Sequence, residues 1–182
     1  MSVAVLLAAR YSRRTTIQKP LYPVGGRPLI ERQAERLAAY GYRVGAVLGY
    51  RAEAVAAALE HPCEIVVNEA YDEGMMSSVR AACRAWPGEN LLLCHVDRPV
   101  PAREVFAALE RAGSPLAVCR YRGERAPPIF LGAELHEALL ASGATRLDAW
   151  VLSRPELCYV EVRDPRVCMN ANDDEKLRSY FD

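Results

Sequence analysis

The chain has 182 residues, 51% of them hydrophobic, with 23 basic and 23 acidic side chains and a formal net charge of zero. That length and apolar content predict a single domain with a full core and exclude a disordered chain. Electroneutrality excludes bulk attraction to nucleic acid or to a membrane surface, so an anionic ligand has to be held by a local cluster.

Residues 3–9 form an apolar run and predict a buried central strand. A polar, mostly basic stretch, 10–19, follows without any apolar period. Residues 20–23 lead into Gly25-Gly26. Residues 29–40 then predict a helix, with Leu29, Ile30, Gln33, Ala34, Leu37 and Ala38 on one face and Gly41 just past its end. A strand at 43–48, an alanine-rich helix at 52–59, a strand at 63–67 and a helix at 74–86 come next. Residues 90–96 are continuously apolar, as in the middle of a parallel sheet. Residues 101–112 predict a helix with Pro101 at or near its first turn. A strand through Tyr121, a short strand at 127–131, helices at 132–141 and 145–152 and a strand at 157–162 follow. The last helix, 173–180, has Asn172 as a possible N-cap. Alternating strands and helices predict an α/β fold with a doubly wound, mostly parallel sheet, and the less regular last third leaves room for an antiparallel strand.

The six cysteines, at 63, 83, 94, 119, 158 and 168, form no C-x-x-C pair and fall mostly in apolar runs. They read as reduced core thiols of a cytoplasmic protein. The N-terminal apolar run is too short for a signal peptide, and no run approaches the ~20 residues of a membrane span. His61 and His136 read as structural or solvated, and His95 as a hydrogen-bonded core histidine.

Two stretches carry candidate chemistry. Arg10, Arg13, Arg14 and Lys19 follow the first strand, where open α/β sheets bind ligands, and four cations there suit a polyphosphate. Asp97, in HVDRPVP, follows a buried strand and is placed to hold Mg²⁺ against a triphosphate; a turn or capping role, or pairing with Arg98, is the alternative.

The first stretch resembles the N-terminal pattern of the MobA-like nucleotidyltransferases, L-A-(A/G)-G-x-(S/G)-x-R-(M/F)-G-x-x-K-x-L followed by L-P-x-x-G-x-P-L-(L/I)-E. Leu7, Ala8, Ala9, Ser12, Arg14, Lys19 and Leu21 match, as do Pro23, Gly26, Pro28, Leu29, Ile30 and Glu31. NEAYDEGMMSSVRAAC (68–83) resembles N-x-x-(Y/W)-x-x-G-M-x-S-S of the molybdopterin cytidylyltransferase branch. Asp97 and Pro99 match D-x-P, and Asn170 and Asn172 match a C-terminal N-x-(N/D) whose following Thr-Pro is here Asp173-Asp174. RAPPIF (125–130) and GATRLD (143–148) are weaker echoes.

The resemblance implies a three-layer, Rossmann-like GT-A fold and Mg²⁺-dependent transfer of a nucleotidyl group from an NTP, CTP before GTP, to a phosphorylated small-molecule acceptor such as molybdopterin. A sugar-phosphate or phospho-alcohol nucleotidyltransferase and an inactive nucleotide- or partner-binding paralogue are the alternatives. It implies Arg14, Lys19 and Asp97 as catalytic residues and Asp97 and Asn172 as metal ligands. The implied nucleotide-binding set is Leu7, Ala8, Ala9, Arg10, Ser12, Arg14, Lys19, Asn68, Gly74, Ser77 and Ser78. Arg10 and Thr16 replace two glycines of the pattern. Arg10 either fills the place of the triphosphate or adds a cation to it, and Thr16 removes the freedom of a positive φ.

Overall fold

A computed structural model describes residues 2–11 and 14–181. The chain runs β1 (Val3–Leu7), β2 (Pro23–Val24), β3 (Arg27–Pro28), α1 (Leu29–Ala39), β4 (Arg43–Leu48), α2 (Ala52–Ala57), β5 (Glu64–Val67) and α3 (Met75–Ala85). It continues with β6 (Leu91–His95), α4 (Arg103–Glu110), β7 (Leu116–Tyr121), β8 (Glu124–Leu131), α5 (His136–Ala141), α6 (Leu147–Leu152), β9 (Leu157–Glu161) and α7 (Asp174–Phe181). Seven strands make one sheet in the order β5-β4-β1-β6-β8-β7-β9. β1 is parallel to both β4 and β6, and β8 is the antiparallel strand, opposed to β6 and β7.

All five residues of β1 are buried because helices cover both faces of the sheet. Ala4 and Leu6 pack with Leu29, Leu37, Phe106 and Leu177 of α1, α4 and α7. Val3, Val5 and Leu7 pack on the other face with Met76, Val79, Leu139 and Trp150 of α3, α5 and α6. The two-residue side-chain period of one strand thus feeds both outer layers. Gly45 in β4 is where Trp86 lies: a Cβ there would come within 2.4 Å of the indole ring.

Several local expectations are adjusted. Gly25 and Gly26 both have positive φ, the requirement of a type I′ turn, and they join β2 to β3 in a hairpin that the sequence reading did not anticipate. α4 begins at Arg103 instead of 101, so Pro101 lies two residues before the helix. β8 begins at Glu124 instead of 127, and its pairing with β7 slips between Val118 and Cys119. Cys83, Cys94 and Cys119 are buried, Cys63 and Cys158 half-buried and Cys168 exposed, all as free thiols. No described helix is long and apolar enough to cross a membrane.

Candidate functional site

Parallel strands β1 and β6 end side by side, with Leu7 opposite His95. The chain leaving β1 and the turn leaving β6 therefore open onto one crevice. A cleft of about 340 Å³ lies there. Leu7, Ala8, Ala9, Arg10, Arg14 and Lys19 line it from the first loop, Ser78 from α3, Asp97 from the β6 end, and Asn170 and Asn172 from the C-terminal segment.

Three devices hold Asp97 and the asparagines in place. Buried Gln33, on the apolar face of α1, donates to the carbonyls of Val96 and Arg98 and accepts from the Val100 N–H (3.1 Å). Asp164 accepts from the Ala102 N–H (2.7 Å) and from Arg166, and Arg98 donates to the Val167 carbonyl (3.0 Å), which knits residues 164–167 to 98–102. The Ala171 N–H then donates to the Asp97 carbonyl (2.9 Å), so the residues on either side of Ala171 are brought to the cleft. Asp173, not Asn172, caps α7 by accepting from the Lys176 N–H (2.9 Å).

Lys19 Nζ lies 2.7 Å from Asp97 Oδ2, both partly buried, so Arg98 is not the partner of Asp97. The side-chain oxygen Oδ1 of Asn170 is buried without a hydrogen-bond partner among the described residues, as is Nε2 of His95. At Nε2, then, His95 lacks the hydrogen bond expected of a core histidine in its strand. Burial holds its imidazole down at about 4; the Asp97 carboxylate pulls the other way, and the cations Arg98, Arg10 and Lys19 reinforce the burial.

One carboxylate with two amide oxygens is a hard, oxygen-only donor set, one of them buried and unpartnered. It fits a Mg²⁺- or Mn²⁺-type ion that takes its remaining ligands from phosphate and water. Among the described residues no cluster of three His, Cys, Asp or Glu could hold a metal.

The two departures of the first loop fare differently. Arg10 is exposed, lines the cleft and leaves its volume open, with its carbonyl accepting from Gln18 Nε2 (2.8 Å). Thr16 meets one of the C-terminal departures: Asp174 accepts from its N–H (3.2 Å) and its hydroxyl (3.0 Å). Ser12 and Arg13 lie outside the described residues.

Asn68 and Ser77 are spent on each other, away from this cleft. Asn68 Nδ2 donates to Ser77 Oγ (2.8 Å) and Ser78 Oγ (3.1 Å), and Ser77 Oγ donates to the Gly74 carbonyl (2.8 Å). Gly74 lines a second cleft of about 550 Å³, which shares Arg10, Met75 and His95 with the first. The two weak echoes meet in that second cleft as Arg125, Ala126 and Pro127 against Thr145, Arg146 and Asp148. The Asp164–Arg166 pair carried no signal of a site role, Gln33 offered only an amide on an apolar helix face, and Asn170 matched the C-terminal N-x-(N/D) pattern without a role being assigned to it.

Comparison with known proteins gives a consistent result. The model of the MobA-like NTP transferase domain matches residues 4–157. The bifunctional protein GlmU of Thermotoga petrophila is 31% identical over 101 residues, 55% of this chain, and the match spans only 23% of that relative's length. A nucleotidyl transferase from Methanothermobacter thermautotroptrophicus superposes with a TM-score of 0.85 at 24% identity, covering 99% of this chain and 96% of the other. Molybdopterin-guanine dinucleotide biosynthesis protein A from Archaeoglobus fulgidus gives 0.78 at 18% identity, covering 98% and 96%. Rv0371c from Mycobacterium tuberculosis, in complex with manganese, gives 0.75 at 23%, covering 98% and 97%. At these identities the structural likenesses establish the fold.

Proposed function

This chain belongs to the MobA-like NTP transferase family of nucleotidyltransferases, and from that premise we propose that it transfers a nucleotidyl group from an NTP to a phosphorylated small molecule. The reading is supported above all by one observation: Lys19, Asp97 and Asn172, from three separate parts of the chain, line a single cleft at the strand ends. An acceptor phosphate is already ionised, so its oxygen attacks the α-phosphorus without a protein base. The bond from that phosphorus to the bridging oxygen breaks, and pyrophosphate leaves with the electron pair.

The work left to the protein is positioning and charge neutralisation. Lys19 and Arg14 hold the outer phosphates as cations. Asp97 and Asn172, with Asn170 beside them, would hold a divalent ion, which when bound would neutralise and orient the α-phosphate. The ammonium of Lys19 sits 2.7 Å from the Asp97 carboxylate, so Lys19 would turn to phosphate where Asp97 serves an ion. The second cleft receives the acceptor, because it opens beside the first and shares Arg10 and His95 with it.

CTP with molybdopterin is the first substrate pair, from the GMMSS segment; sugar phosphates and phospho-alcohols are the second class. Pyrophosphate release, followed for each NTP against these acceptors with Mg²⁺ or Mn²⁺, tests the reading. Release that needs both an NTP and one acceptor supports it. No release with any pair, despite NTP binding, would make the protein a nucleotide-binding paralogue.

A further inference from the structure

Tyr11, which lines the first cleft, and the two tyrosines that its ring contact leads to, Tyr50 and Tyr71, are not used by the phosphate chemistry. Tyr11 is the most exposed aromatic side chain beside it, at 55%, and lines the cleft itself. Its ring centroid lies 4.7 Å from that of Tyr50 at 66°, an edge-to-face contact, and Tyr50 lies 6.3 Å from Tyr71 at 62°. In either sense of that contact, Tyr50 leaves at least one face of the Tyr11 ring uncovered.

The group is rigidly mounted. The Tyr50 N–H donates to the Ala9 carbonyl (2.9 Å), which fixes the β4 end to the β1 end. Tyr71 packs onto Gly49, where a Cβ would lie 2.5 Å from its own Cβ. A tyrosine loses little rotamer freedom on binding, so a pre-mounted ring is an inexpensive contact.

Its place along the cleft decides what it can meet. β4 and β6 flank β1 on opposite sides, so their ends stand about 10 Å apart, two strand spacings. Asp97 follows β6 and marks the metal and phosphate end. Tyr11 leans on Tyr50, which follows β4, and marks the other end of the cleft that both it and Asp97 line. A nucleotide laid with its α-phosphate at Asp97 therefore brings its base towards the exposed ring.

We propose that Tyr11 is the residue on which the base of the bound nucleotide stacks, and so a determinant of affinity for the nucleoside part of the substrate. The inference rests on the NTP-dependent reading above. Every base presents a π-face, so the contribution falls on whichever nucleotide binds. It is also independent of phosphate number, in contrast to that of Lys19.

The test is titration calorimetry of CTP, GTP, their monophosphates and inorganic tripolyphosphate, with Mg²⁺, into wild type, Tyr11→Ala and Tyr11→Phe, with melting temperature as a check of folding. Tyr11→Ala is expected to weaken a nucleoside triphosphate and its monophosphate by the same factor, about 5- to 100-fold on the scale of base–aromatic stacking. Tyr11→Phe is expected to stay within about twofold because it keeps the ring. Tripolyphosphate affinity should be unchanged. Unchanged nucleotide affinity in Tyr11→Ala would overturn the stacking role and leave the NTP reading standing. An equal loss for tripolyphosphate would overturn it too, since the tyrosine would then act through the shape of the loop. Failure of wild type to bind any nucleotide would remove the NTP reading and this inference together.

Discussion

Lys19→Met separates the two partners that the ammonium is proposed to serve. In the metal-free protein Nζ is 2.7 Å from Asp97 Oδ2, with side-chain exposures of 14% and 23%. The pair is half-sheltered, so its net worth belongs near the upper end of the exposed range, about 1 kcal/mol, after desolvation and side-chain ordering are offset. In a domain of this size that is a fall in melting temperature of about 2–4 °C. The same change frees the carboxylate from its competitor, so Mn²⁺ alone should bind about fivefold more tightly, the equivalent of ~1 kcal/mol. CTP should bind more weakly by about 1.5–3 kcal/mol, the scale of a hydrogen bond to a charged group. CMP should lose less, because the outer phosphates carry most of the charge. Opposite shifts for metal and triphosphate, measured by calorimetry, are the expected signature. Weaker Mn²⁺ binding, or equal losses for CTP and CMP, would refute the exchange of partners.

Arg10→Gly should weaken CTP by an amount on the order of 1.5–3 kcal/mol, since the exposed guanidinium borders an open cleft, and tighter CTP binding would show that Arg10 obstructs the loop. Gly49→Ala should cost about 1–3 kcal/mol in chemical denaturation, because its Cβ would lie 2.8 Å from the Ala9 carbonyl, a backbone atom that cannot rotate away; an unchanged midpoint would show that the β1 and β4 ends separate easily. His95 has its folded pKa depressed to about 4 against about 6.5 unfolded, so the unfolded chain takes up the proton first. In metal-free protein that costs stability as pH falls from about 6.5 to about 4, by about 3 kcal/mol in all, and His95→Gln should flatten the curve. Parallel curves for the two proteins would exclude the imidazole as the cause.

The layers of the fold were legible because β1 and β6 are continuously apolar and α1 and α3 have clear apolar faces. The β2–β3 hairpin was not, since two-residue strands carry no period and only Gly25-Gly26 marked it. The start of β8 was missed because Glu124 and Arg125 read as loop. Its pairing slips where Pro127-Pro128 supplies no N–H to the ladder, so Cys119 faces Ala126 while Val118 faces Ile129. At the cleft, Lys19, Asp97 and Asn172 could be named singly from strand ends and from motif. Their meeting could not: the Lys19–Asp97 pair spans 78 residues and the Thr16–Asp174 contact 158. Such pairings depend on the packing of the C-terminal segment against residues 97–102, which leaves no periodic trace in either stretch. Tyr11 carries no signal in the sequence, because the partner that orients it, Tyr50, is set by the register of β4.

The proposed chemistry requires that this cleft bind an NTP through a divalent ion held at Asp97. Titrating CTP and GTP into wild type and Asp97→Ala, each with Mg²⁺ or with chelator, tests it most directly. One nucleotide should bind wild type in a metal-dependent way, chelator should abolish most of that affinity, and Asp97→Ala in Mg²⁺ should behave like wild type in chelator. Equal affinity of wild type and Asp97→Ala in Mg²⁺ would contradict it.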